Sequence, residues 1–394
     1  MKSLLISGIY FPPLTGGISN YMASVAAALG PGEVCCLTGV SSNGNAPRSA
    51  FSLRSYRRPA AFAKAKHVQA VGFGAAIAEI MVRERPHVVQ LATAYDGYMG
   101  LWLRRWLKLP FVVYAHGNEI LDALGSTWSK PRLSLKQAAR VLANSRFTAQ
   151  LVEKAGVAPH RIEIIHPGCD VDRFQPYESG PDLRQQMLGP QASSRVILSV
   201  GNLVARKGHD MVIRALPRLL QKMRDVVYLI VGEGPYRSQL ESLVASLGLR
   251  ERVIFAGRVA DENLPEVYAL SDVFIMPSRE HLDSCDVEGF GMVFLEASAC
   301  AKPTIAGRSG GIGDAVLDGV TGLLVNPLDV DDIAAALWII LSNRELAIQL
   351  GHRGRSRVVS DFAWPRIAGR VQQILDSVVS EGLGGAREEA SALR

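Results

Sequence analysis

Two doubly wound α/β domains in tandem are predicted for this chain, on three observations. Short apolar runs alternate with helix-like segments through the first half, at residues 4–9, 33–38, 88–92, 111–115, 141–144 and 162–165. A second series follows at 196–200, 226–231, 253–256, 273–276, 303–306 and 322–325. Between the two series lies a polar stretch, 170–195, broken by Pro176, Gly180-Pro181 and Gly189-Pro190, which reads as a linker. Strands that alternate with helices pair in parallel, because a parallel neighbour needs a long crossover. A chain of 394 residues with 48% apolar content can fill two cores. No period of solenoid length repeats along it.

The first apolar run begins just after Met1-Lys2 and stops at Tyr10-Phe11-Pro12-Pro13 without a small-residue cleavage site, so it reads as the first strand rather than a signal peptide. No stretch approaches about 18 consecutive apolar residues, the length a spanning helix needs. The five cysteines have no paired metal spacing and suggest no disulfide framework, which fits a reducing cytoplasm. Cys35 and Cys36 read as strand residues.

The net charge of +6 is uneven: residues 1–180 carry 20 Lys and Arg against 11 Asp and Glu, and residues 181–394 carry 23 against 26. From Arg48 to Lys108 there are eleven basic and three acidic side chains. Such a field attracts anionic membrane, phosphorylated substrates or nucleic acid. Within it, Leu101-Trp102-Leu103-Arg104-Arg105-Trp106-Leu107-Lys108 fits an interfacial helix and equally a core-facing helix with solvated cations. Near the end, Ile367, Val371, Ile374 and Val378 have helical spacing, and residues 381–394 read as a tail.

The segment from Glu288 to Glu296 reads Glu-Gly-Phe-Gly-Met-Val-Phe-Leu-Glu. If 291–301 is helical, positions eight apart differ by about 12 Å and roughly 80°, so the two carboxylates suit a long ligand rather than one atom. Gly289 and Gly291 allow backbone N–H groups at a helix start to approach hydroxyls or a diphosphate. Taken alone, the stretch also fits a glycine-capped amphipathic helix with Glu288 near its positive end. A second signal is Gly201-Asn202-Leu203-Val204-Ala205-Arg206-Lys207-Gly208, a turn after the first strand of the second half, where open α/β sheets bind ligands. Two further turns follow strands of the first half: residues 10–21, with Gly16-Gly17, and Tyr114-Ala115-His116-Gly117-Asn118-Glu119. A lone His after a strand is more often structural than catalytic. Two Asp-x-Asp strings, Asp170 to Asp172 and Asp329 to Asp331, lack the extra carboxylates or His of a metal site; the second reads as a helix cap.

Together these segments resemble the retaining glycosyltransferases of family 4. The string Asp286-Val287-Glu288-Gly289-Phe290-Gly291 is similar to that of bacterial mannosyltransferases acting on phosphatidylinositol and their exopolysaccharide relatives. The resemblance implies the GT-B fold, two Rossmann-like doubly wound domains facing across a cleft. Residues 1–180 would form the acceptor-binding domain, 190–363 the nucleotide-sugar-binding domain, and 364–380 a helix returning to the first. It also implies that Glu288 faces the donor sugar and Glu296 the donor ribose, while backbone N–H groups of Phe290, Gly291, Met292 and Val293 meet sugar hydroxyls and phosphate.

Lys207 matches the family lysine that contacts the diphosphate. Asn202 stands where relatives carry a second cation, and Arg206 is its substitute candidate. Gly16 and Gly17 would lie near the donor phosphates and the acceptor, and His116 would touch the transferred sugar. Asp314 stands where relatives often have Glu. The resemblance further implies a nucleoside diphosphate sugar as donor, GDP-mannose ahead of UDP-sugars, a lipid-linked or glycan acceptor, no metal or other cofactor, and no nucleic-acid partner. A nucleotide-sugar epimerase and a non-catalytic sugar-nucleotide-binding or membrane scaffold remain as alternatives. A phosphorylase is disfavoured by the lack of a recognisable pyridoxal-phosphate lysine motif.

Overall fold

The computed structural model describes residues 1–394 apart from Pro13, Thr15, 40–53, 126–128, 178–180, 281–285 and 393–394. Arg48 of the basic run, Pro13 and Thr15 of the Gly16-Gly17 turn and Gly180 of the polar stretch therefore lie outside the described residues. The chain divides into two compact units, Met1–Gly168 with Trp364–Arg394, and Cys169–Ala363.

In the first unit the strands are β1 (Ser3–Ser7), β2 (Val34–Thr38), β3 (Arg54–Arg57), β4 (Val88–Leu91), β5 (Phe111–Ala115), β6 (Arg140–Ala143) and β7 (Ile162–Ile164). They form one sheet in the order β3-β2-β1-β4-β5-β6-β7. All pairs are parallel; Leu5 on β1, for example, stands opposite Cys36 on β2 and Gln90 on β4. The second unit holds β8 (Arg195–Val200), β9 (Val226–Val231), β10 (Val253–Gly257), β11 (Val273–Met276), β12 (Thr304–Gly307) and β13 (Gly322–Val325), ordered β10-β9-β8-β11-β12-β13 and again all parallel.

The central strands are near-continuous apolar runs because both faces of each sheet are covered. On β8, Ile197 packs into one apolar cluster while Val196, Leu198 and Val200 enter the cluster on the other face. In each unit the winding reverses once, between β1 and β4 and between β8 and β11. At such a point the loops leaving two adjacent strands diverge, and a crevice opens at the strands' C-terminal ends.

Strand β3 has no apolar run and is not visible to hydrophobic patterning. It is a largely exposed edge strand held by one buried carboxylate: Glu84 accepts from Lys2 at 2.9 Å, Arg54 at 3.2 Å and the Tyr56 hydroxyl at 2.7 Å. Residues 169–189 belong with the second unit rather than bridging the two. Cys169 donates its N–H to Phe362 at 2.7 Å, and Cys169, Phe174 and Leu188 are buried in that unit's core. The stretch looks like a linker because its remaining side chains are polar, yet it contains the helix Pro181–Leu188.

The C-terminal helix runs from Trp364 to Ala392, so the backbone of 381–392, within the stretch expected as a tail, is helical. It packs in the first unit, where Trp364 stacks on Tyr21 (5.9 Å between ring centroids) and Arg370 donates to the Ile164 carbonyl at 3.1 Å. Among its described residues Ile367, Ala368, Val371, Leu375 and Val378 are buried; Leu375 takes the inward place expected of Ile374. Among the described residues no single helix is long and apolar enough to cross a membrane. The helices Val330–Ser342 and Arg344–Asp361 meet that test only as a pair, bent by 98°, and bury Ile333, Leu337, Leu350 and Val358 within the second unit.

Candidate active site

The second unit gathers charge where its winding reverses. After β8 the chain passes Gly201 and Asn202 into a short 3₁₀ turn, Ala205–Lys207, and then at Gly208 into the helix His209–Lys222. Gly208 has φ 74°, and a Cβ there would come within 2.2 Å of the Pro277 carbonyl oxygen. Only glycine lets this turn rest on the loop that leaves β11. The two loops are also bonded: Arg279 donates its N–H to the Arg206 carbonyl at 2.9 Å, and its guanidinium grips both oxygens of Asp210 at 3.0 and 3.1 Å.

The β11 loop then delivers two carboxylates. Lys207 Nζ donates to Glu288 Oε2 at 2.6 Å, Arg206 Nη1 donates to the same oxygen, and Arg206 Nε donates to Asp286 Oδ1 at 2.7 Å. Burial would raise the Glu288 carboxyl, but the adjacent Lys207 and Arg206 outweigh it and hold it at about 2. Burial lowers the Lys207 ammonium, partly countered by Glu288. Glu288 is thus a carboxylate fixed between two cations.

A third loop, after β12, supports it from the backbone side. Gly311 donates its N–H to the Glu288 carbonyl at 2.9 Å, and a Cβ on Gly310, whose φ is 53°, would lie 2.4 Å from that oxygen. Asp314, just beyond in the helix Ile312–Ala315, is buried, with Arg357 donating to its carbonyl at 2.7 Å.

The helix after Glu288 is Met292–Ala299, entered through Gly291 at φ 93°. Glu288 therefore lies in the preceding loop, so the separation expected for two carboxylates on one helix does not apply. Phe290 is a core residue 5.9 Å from Phe362 between ring centroids, whereas Met292 and Val293 are half-buried in the first turn, whose N–H groups have no intrahelical acceptor. Glu296 is half-buried and accepts from the Tyr268 hydroxyl at 2.8 Å, with burial raising its carboxyl. Asn202 is exposed, and it is Arg206 that shares a carboxylate with Lys207.

In the first unit, His116 follows β5 and is buried. Its Nε2 bonds the Ala92 carbonyl at 2.8 Å, and its ring meets Tyr21 edge-on at 5.7 Å. Gly16 precedes the helix Gly17–Leu29 with open space where a side chain would stand. Sequence reasoning gave no role to Asp286, Arg279 or Asp210. For Asp286 a signal existed, since residues two apart in an extended loop fall on the same side and Glu288 was already singled out. The Asp-x-Asp strings are occupied locally: Asp170 accepts from the Arg173 N–H at 3.0 Å, and Asp329 caps the helix Val330–Ser342. Among the described residues no group of three or more His, Cys, Asp or Glu is placed to hold a metal ion.

Comparison with known proteins bears on this arrangement. Residues 184–357 match the family model described as glycosyl transferases group 1, and residues 15–173 match glycosyltransferase family 4. The chain is 36% identical over 297 residues to the GDP-mannose-dependent alpha-(1-6)-phosphatidylinositol monomannoside mannosyltransferase of Mycolicibacterium smegmatis, covering 72% of this chain and 74% of that one. It is 30% identical over 401 residues to the enzyme of the same name from Mycobacterium tuberculosis, covering 95% and 98%. Among solved structures, sucrose-phosphate synthase from Thermosynechococcus elongatus superposes with a TM-score of 0.80 at 23% identity, covering 97% of this chain and 100% of that one. HepE from Anabaena, crystallised with UDP, gives 0.77 at 19%, covering 96% and 100%. Two parallel sheets, a match to a family model in each half and 30% identity to a relative over nearly the full length lead to one conclusion: the chain belongs to the family 4 glycosyltransferases, enzymes of the GT-B fold.

Proposed function

We propose that this glycosyltransferase moves a hexose, mannose ahead of others, from a nucleoside diphosphate sugar to a hydroxyl of a lipid-linked or glycan acceptor, with retention and without a metal. The observation that carries the reading is the convergence of Lys207 and Arg206 on Glu288 where the second unit's winding reverses. As the glycosidic bond loosens, negative charge collects on the leaving diphosphate and positive charge on the sugar. Fixed cations in a largely buried site stabilise the first without reorganisation, and a carboxylate that stays ionised suits the second. The first-turn N–H groups of Met292 and Val293 add donors for phosphate or sugar oxygens. Glu296, engaged with Tyr268 rather than with the cations, is assigned to the ribose. His116 and the Gly16-Gly17 turn are assigned to the transferred sugar and the acceptor.

The preference for mannose rests on the mycobacterial relatives named as GDP-mannose-dependent, and the crystallisation of HepE with UDP keeps UDP-sugars second. Retention is proposed from the resemblance to the retaining glycosyltransferases of family 4; among the described residues the site has no glycosidase-like pair of acid and nucleophile, which disfavours a covalent intermediate. Same-face attack, with a donor phosphate oxygen taking the acceptor proton, then serves.

The deciding experiment is donor turnover with GDP-mannose and UDP-glucose, with and without phosphatidylinositol mannoside as acceptor. A transferase shows slow hydrolysis that acceptor accelerates; an isomerised sugar nucleotide would mean an epimerase, and no turnover a scaffold. NMR of the early product reads the anomer. Persistence of activity in EDTA tests the absence of a metal requirement.

Exposed side chains of the first unit support a second reading, in which the enzyme works at an anionic membrane surface. Helices Lys66–Arg83 and Gly97–Leu107 meet through Phe73 and Trp102, edge-on at 5.6 Å; along these segments Val68, Val71, Trp102 and Trp106 are exposed, as are Lys64, Lys66, Arg105 and Lys108, and the Arg105 guanidinium lies over the Trp106 ring at 5.1 Å. Apolar side chains bordered by cations suit an anionic lipid surface.

A further inference from the structure

Arg206, Lys207, Asp286 and Glu288 sum to zero charge. A diphosphate entering this group meets cations that are already neutralised. Lys207 and Arg206 yield their full attraction only if a carboxylate gives way. Glu288 is poorly placed to do so, since both cations share its Oε2 and its side chain is 12% exposed. Asp286 is the rim carboxylate, 37% exposed, and it holds Arg206 at Nε while Nη1 stays on Glu288. One edge of the guanidinium can therefore change partner while the other keeps its place.

We propose that Asp286 is an exchangeable counter-ion. It occupies the Nε edge of Arg206 in the empty site, yields that edge to a donor phosphate oxygen, and returns as the nucleoside diphosphate product leaves. The exchange replaces one anion by another, with no covalent bond made or broken. It rests on reading Lys207 and Arg206 as the diphosphate cations. Two consequences follow. Arg206 is kept extended and partnered before the donor arrives, so little ordering is needed on binding. The returning carboxylate also competes with the product, which speeds its release.

The test is calorimetric titration of GDP and UDP into the full chain, comparing wild type with Asp286→Asn, Asp286→Ser and Asp286→Glu. Removing the competing charge should tighten nucleoside diphosphate binding about fivefold to tenfold in the Asn and Ser variants, with the gain shrinking at high salt and wild-type affinity kept in the Glu variant. The gain should vanish when Arg206→Gln is combined with Asp286→Asn, as a double-mutant cycle requires of a shared interaction. A purely structural Asp286 predicts the opposite sign. Equal or weaker binding in Asn or Ser variants that melt like wild type overturns the proposal, and the Ser variant decides if the Asn chain does not fold. A wild type that binds neither nucleotide overturns the donor-site reading first and this inference with it.

Discussion

Two carboxylates of similar burial sit at opposite ends of the titration range, and the difference lies in their partners. Glu288, between two cations, is held at about 2, so it contributes stability that is fully present above the ordinary carboxylate range and lost as pH falls through about 2. It stays ionised throughout any neutral assay. We expect Glu288→Ala to lower turnover without weakening nucleotide affinity, since it removes a carboxylate from both cations, Glu296→Ala to weaken nucleotide affinity, and Lys207→Ala to lower kcat/KM by about 10²-fold to 10³-fold, all read by steady-state kinetics and GDP calorimetry. Asp96 is buried at the start of the helix Gly97–Leu107, and burial pushes its carboxyl up to about 7 despite hydrogen bonds from the Gly8 N–H and Thr93. Its folded pKa lies above its unfolded value, so its favourable contribution is complete in acid and lost as pH rises through about 7. Asp96→Asn should therefore raise the melting temperature at pH 8 by several degrees, and the gain should fade at pH 5.

At the scale of elements, the donor-side loops are built on close approaches that only glycine permits. Gly208 lies against the Pro277 carbonyl in a left-handed conformation, so Gly208→Ala combines backbone strain with a main-chain clash. A loss of about 2 kcal/mol or more is expected in urea melts, together with a fall in turnover because the displaced turn carries Lys207. These glycines sit in recognisable strings, and the turns were legible in the sequence for that reason. Strand β3 was not, because an edge strand tied down by Glu84 needs no apolar side chains. The helix Met292–Ala299 starts within one residue of the position read from the sequence, but Glu288 precedes it, so helical geometry does not relate the two carboxylates.

Over the whole molecule, the basic excess of residues 1–180 is less free than its count suggests. Arg58 pairs with Glu79 at 2.7 Å and Arg104 bonds Gln137 Oε1 at 2.8 Å, so neither is the natural choice for probing lipid contact. Lys64, Lys66, Arg105 and Lys108 are exposed, as are Val71 and Trp106, and each basic residue near an anionic bilayer contributes up to about 1 kcal/mol. We predict cosedimentation with anionic but not neutral liposomes, released by high salt and weakened by Lys64/Lys66/Arg105/Lys108→Ser. Equal binding to both kinds, or to neither, would favour a soluble acceptor.

The sequence by itself determined the two parallel sheets, because strands covered on both faces must be apolar throughout and crossover helices must separate them. It also determined the cluster's main members, because Lys207 and Glu288 stand in strings whose glycines and spacing are local properties. Tertiary structure alone decided who meets whom. Arg206 rather than Asn202 shares Glu288 with Lys207, Asp286 neutralises Arg206, and Arg279 with Asp210 clamps the two loops, over sequence separations of 69 to 82 residues. It also assigned 169–189 to the second unit through a few buried side chains in a polar stretch. Such pairings depend on which strands become neighbours where the winding reverses, and no local pattern of hydrophobicity or spacing encodes that adjacency.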